Sequence, residues 1–119
     1  MMRAVLLGLL AVVLLTEDAD AAQDLGSLRS ANALMPSCQT FLIDGVLKSP
    51  AEGFCVGVVV GLGYASNNYK EMGSCRPPGA TIAQAVRVVV GYIERHPQRM
   101  DEDFSLLAME ALHVMWRCK

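Results

Sequence analysis

The sequence predicts a small all-α single domain of four to five short helices, stapled by two disulfides. Apolar residues recur at helical rather than alternating spacing along most of the chain. Thr81-x-x-Gln84 forms a capping box directly ahead of an apolar stripe. Four cysteines, Cys38, Cys55, Cys75 and Cys118, follow an apolar leader, which places them in an exported part of the chain where thiols oxidise in pairs.

The leader comes first. Arg3 precedes the apolar run from Ala4 to Leu15, and Ala19-Asp20-Ala21 has the small-x-small spacing that signal peptidase reads, so residues 1–21 are expected to be a signal peptide cleaved near Ala21. About a dozen apolar residues fall short of the roughly 20 needed to span a bilayer. The run ends in Glu17, Asp18 and Asp20 rather than in a basic stop-transfer flank. A flexible lead-in is assigned to 22–33 and the domain itself to 34–119. Loss of Arg3 and the three leader acids from 10 basic and 12 acidic residues leaves the mature chain in charge balance. That argues against nucleic acid and against a membrane partner after cleavage, since both call for a basic excess on one face.

Helical segments can then be placed in order. Ser30 can cap a first stretch through Leu34, Cys38, Phe41 and Leu42, which Pro36 is expected to kink or restart. Asp44-Gly45 and Lys48-Ser49-Pro50 read as a connection. A second helix opens at Pro50 or Ala51, carries Glu52 near its positive end and continues toward Tyr64. Gly57 and Gly61 lie one turn apart, where missing side chains would let another helix cross closely. Residues 65–75 read as a loop. The capping box starts a third helix with Ile82, Ala85, Val86, Val89, Val90 and Ile93 on its apolar side, and Pro97 ends it at His96. Asp101 is expected to cap the last helix, with Glu102 and Asp103 in its first turn. The core is drawn from Leu34, Phe41, Phe54, Val58, Leu62, Val86, Val89, Ile93, Leu107, Leu112 and Met115.

Chemistry finds little footing. The cysteines are too far apart for the close ligand pairs of a zinc site or for a C-x-x-C redox site, so disulfides are expected, with three connectivities open. His96 and His113 are the only histidines, and no motif sets either beside a nucleophile or activating carboxylate. His96 reads as a cation complementing a helix C-terminus, and His113 as a partly buried, hydrogen-bonded histidine. Asp101-Glu102-Asp103 lacks the twelve-residue calcium loop with its glycine and terminal glutamate. No catalytic residue, metal or cofactor is therefore expected.

Phe54-Cys55-Val56-Gly57-x-x-x-Gly61, Cys75-Arg76-Pro77-Pro78-Gly79-x-Thr81-x-x-Gln84, Val88-Val89-Val90-x-Tyr92-Ile93-x-x-His96-Pro97 and Ala111-Leu112 with Cys118 together resemble the Rap/Tai-type immunity domain. The likeness covers Leu34 to Lys119. Trp116-Arg117 departs from it, because the family often has an aromatic-proline pair there. The resemblance implies a small periplasmic helical protein that blocks a peptidoglycan amidase effector of type VI secretion, acting as a homodimer through loop insertion and without chemistry of its own. Cys38 is then expected to pair with Cys55, joining consecutive helices, and Cys75 with Cys118, tying the loop before the capped helix to the end of the last one. Two polar segments between helices are the expected partner-binding surfaces: Ser66, Asn67, Asn68, Tyr69 and Lys70, with Tyr69 as an aromatic anchor, and His96, Gln98 and Arg99. The alternative function is a periplasmic chaperone or envelope stress protein of small helical type. Charge balance and the lack of a histidine cluster count against it.

Overall fold

The computed structural model describes residues 29–66 and 73–119; the expected signal peptide lies outside them. Four α-helices form the described part: α1 (Ala31–Asp44), α2 (Pro50–Ser66), α3 (Ile82–Glu94) and α4 (Phe104–Met115), with a 3₁₀ turn at Pro97–Arg99 before α4. Each helix touches the other three.

The start of α1 is fixed from both sides. Ser30 caps it by accepting from the Ala33 amide, and Gly45 closes it in the left-handed region at φ 72°, its amide donating to the Phe41 carbonyl. Backbone amides of Ala31 and Asn32 donate to the carbonyls of Glu102 and Met100, and Phe104 N–H donates to the Arg29 carbonyl. Residues 29–33 therefore belong to the folded unit, which corrects the expected flexible lead-in over that part of 22–33. Pro36 does not restart the helix, which runs through it unbroken. The carbonyl that Pro36 cannot serve belongs to Asn32, an exposed residue.

Helix α2 begins at Pro50. Ser49 Oγ accepts from Glu52 N–H at 3.2 Å, and the Glu52 carboxylate accepts from Lys48 N–H at 2.7 Å, so this almost fully buried acid closes the helix entrance. Cys55, Val56 and Val59 face inward. The glycines do not. Gly57 and Gly61 are exposed, and a methyl group on either would meet nothing within 4 Å. Among the described residues no helix makes the expected close crossing at these glycines, because the inward face is the one that Cys55 fixes against α1.

The capping box of α3 is present in both directions: Thr81 Oγ1 accepts from Gln84 N–H at 3.1 Å, and Gln84 Oε1 accepts from Thr81 N–H at 2.7 Å. The helix ends at Glu94, two residues before the expected stop, because Pro97 starts its own short turn. The cap of α4 is Asp103, accepting from Ser105 N–H at 2.8 Å, and not Asp101, which is exposed. Arg29 selects this register, since its guanidinium lies 3.0 Å from the Asp103 carboxylate and its carbonyl receives the next amide.

The core contains Leu34, Phe41, Val86, Val89, Ile93, Leu107 and Leu112, as expected, together with Phe104, Val59, Ala85 and Ala108. Two expected members are wrong. Phe54 is 55% exposed and Met115 52% exposed, while Val58 and Leu62 are only partly buried against the core. Phe54 lies on the glycine side of α2, one position before the buried Cys55, and Met115 ends α4 where packing gives out.

Both disulfides have the expected pairing. Cys38–Cys55 bridges α1 and α2 with 5.6 Å between Cα atoms, and both residues are fully buried. Cys75–Cys118, at 4.9 Å, joins the start of the 75–80 connection to the chain end, with Cys75 exposed. Beside it, Cys75 N–H donates to the Trp116 carbonyl at 2.7 Å.

Candidate protein-binding surfaces

The turn leading into α4 is built around one guanidinium. Arg99 Nε and Nη2 donate to the two Glu102 oxygens at 2.9 and 2.7 Å, and Nη1 and Nη2 donate to Glu110 at 2.7 and 3.1 Å. Tyr92 Oη donates to the same Glu110 at 3.0 Å. Two carboxylates held by one arginine are stabilised in their charged form, so Glu102 and Glu110 both sit below the usual range, with Arg99 the largest cause. Burial, and then the Glu110 carboxylate, push the Tyr92 phenol up.

His96 completes this turn. Its Nδ1–H donates to the Tyr92 carbonyl at 2.7 Å, and its ring lies over that of Tyr92 with centroids 4.4 Å apart. A carbonyl of the last helical turn is thereby satisfied. Arg99 is a support here rather than a free cation. Of the expected contact residues in the turn, Gln98 is exposed, beside exposed Pro97.

The other expected surface begins differently from its sequence reading. Ser66 is the last residue of α2 and is buried; its Oγ donates to the Gly63 carbonyl at 3.2 Å and lies 2.8 Å from Ser74 Oγ. Asn67, Asn68, Tyr69 and Lys70 lie outside the described residues. Where the chain is described again, Gly73 offers its carbonyl to His113 Nδ1–H at 2.8 Å, and Ser74 pairs with Arg117 in an isolated bridge. His113 is half-buried and bonded as expected. Gly73 and Ser74 therefore pack at the C-terminal end of α4, whereas the Pro97–Arg99 turn leads into its beginning.

Two further surfaces went unread in the sequence. The outer face of α2 presents Phe54, Gly57, Gly61 and Tyr64, the last 74% exposed. Its spacing was legible, but not which side faces out. A groove of about 630 Å³ runs along α3 between Pro77–Ala80 and the end of α4, lined by Gln84, Arg87, Val88, Gly91, Arg95, Met115 and Trp116. Helical periodicity places Gln84, Arg87, Val88, Gly91 and Arg95 on one face; that Trp116 would fold over them depends on the Cys75–Cys118 tie.

Among the described residues no cluster of histidine, cysteine or acidic groups could hold a metal ion, and no helix is long and apolar enough to cross a membrane. What the surface offers is shape, charge and exposed apolar groups. A family model described as Rap1a immunity proteins matches residues 30–118. No curated protein and no solved structure matches the chain.

Proposed function

The chain belongs to the family of Rap1a immunity proteins, and on that premise we propose that it binds and blocks a peptidoglycan amidase effector of type VI secretion in the periplasm, as a homodimer and without chemistry of its own. The observation that carries this reading is the family match, which extends across the whole described fold from the Ser30 cap to the second disulfide. Two cysteine pairs, one of them exposed at the surface, fit an oxidising compartment such as the periplasm. Binding then requires a surface that is rigid before the partner arrives, because each side chain ordered on association costs about 0.5–1.5 kcal/mol. The Pro97–Arg99 turn has that rigidity: Arg99 anchors it to Glu102 and Glu110 and leaves Pro97 and Gln98 outward. Tyr69, in the 66–70 segment, is the proposed aromatic anchor of the second contact.

The test is protection. The full chain, with its leader, is co-expressed in a bacterial periplasm with individual amidase effectors, and lysis is followed by optical density. Protection against at least one amidase, with a complex recovered on purification, is the expected result. Failure to protect against any of them and failure to co-purify with any would overturn the reading.

A further inference from the structure

In the groove over α3, unpaired cations, an aromatic ring and a concave shape coincide. Arg87 and Arg95 are both exposed, and among the described residues neither has an ion-pair partner. Among the described residues no acidic side chain lines the groove. We propose that it is a docking site for an extended acidic segment of a protein partner, resting on the immunity reading only in taking that partner to be the effector.

The spacing sets what would fit. Arg87 and Arg95 are eight positions apart on one helix face, about 12 Å along the axis at 1.5 Å per residue. An extended chain advances about 3.3 Å per residue, so two carboxylates roughly four residues apart reach both guanidiniums. Arginine favours such partners because its planar fork meets a carboxylate through two parallel hydrogen bonds. Val88, Met115 and Trp116 give the groove an apolar lining for one intervening side chain.

One of the cations lies over Gly91. A methyl group there would lie 3.4 Å from Arg95 Nη1, so the Arg95 guanidinium folds back along the helix over Gly91 and into the groove. The walls are held as well: the Cys75–Cys118 disulfide and the Cys75 to Trp116 backbone bond fix the 75–80 connection against the end of α4. A membrane surface suits this site less, because a flat array of headgroups cannot enter a concave site flanked by Pro77 and Trp116.

Trp116 is the only tryptophan in the chain, so the groove carries its own reporter. The oxidised protein is titrated with a short synthetic peptide bearing two glutamates at the spacing above and a leucine between them, with the matched glutamine peptide as control. The acidic peptide is expected to produce a saturable change in Trp116 fluorescence that weakens with added salt. Arg87→Ala/Arg95→Ala, with an unchanged thermal melt, is expected to weaken binding about 100-fold, roughly tenfold per lost charge-assisted contact. Equal binding of the two peptides, undiminished binding by the double variant, or no saturable response would each overturn the proposal. So would arginine-dependent binding to phosphatidylglycerol vesicles in place of the peptide. Protection from lysis is scored separately. A groove that takes the peptide, in a protein that protects against no amidase, would uphold this site while sinking the immunity reading.

Discussion

Arg99 shows how a residue read as a contact becomes a support once distant parts of the chain meet. Its pairing with Glu102 lies within reach of sequence spacing, but Glu110 comes from the second turn of α4, and Tyr92 from α3. No local pattern announces such a junction. Its charge state has a measurable consequence. Glu102 and Glu110 bind protons less readily folded than unfolded, so the stability they contribute is present above the ordinary carboxylate value of 4.5 and is lost as pH falls through the lower folded-state values. Thermal melts between pH 7 and pH 3 should show a midpoint that is level near neutrality and declines below about pH 4.5, with a shallower decline in Glu110→Gln. A midpoint that rises on acidification would contradict this. Phe104 is the complementary case, wholly buried yet absent from the expected core. Phe104→Ala should cost about 3–5 kcal/mol in urea unfolding.

Elements were more legible than their orientation. The capping box of α3 and the proline start of α2 are local signals, and both appear where their residues put them. Ser49-Pro50-Ala51-Glu52 carried a further entrance signal, serine followed three residues later by glutamate, whose carboxylate turns back to the Lys48 amide. The rotation of α2 about its axis was not legible, because apolar and small residues surround the helix and no polar stripe marks an outside. The disulfide to Cys38 decides it. With open space around both glycines, Gly57→Ala and Gly61→Ala should each stabilise the protein by about 0.5–1 kcal/mol, the gain in helix propensity with no steric cost. Destabilisation by either, in denaturant titration, would mean that something packs on this face.

At the scale of the molecule, fold class was readable from helical periodicity and the capping box, and disulfide pairing from the family resemblance that motif order carries, whereas surface geometry was not. The 66–70 and 96–99 segments looked alike in sequence as polar links between helices, yet one begins at a buried serine and the other stands on an arginine junction. The groove along α3 needed the chain end to be drawn back over Gln84 and Val88, a contact made by the second disulfide across a separation of 43 residues. In the chain-entropy account a closure of that length is worth about 4 kcal/mol. Cys75→Ala/Cys118→Ala should therefore lower unfolding stability by up to about that amount, and should shift Trp116 emission in the folded state as its cover loosens. A folded-state spectrum identical to that of the parent would separate the groove from the disulfide.

The outward glycines of α2 also bear on how the native state breathes. A helix with glycines on its solvent side has fewer side-chain contacts there to slow its opening, and local openings are drawn from such weakly held segments. The Cys38–Cys55 bond lies in the first half of α2, so it tethers that half and leaves Gly57 to Ser66 without a covalent tie, held at its end by the hydrogen bond of Ser66 to Ser74. In amide deuterium exchange, peptides covering this second half should take up label well before those from α3 and α4, and reduction of Cys38–Cys55 should bring the first half to the same rate.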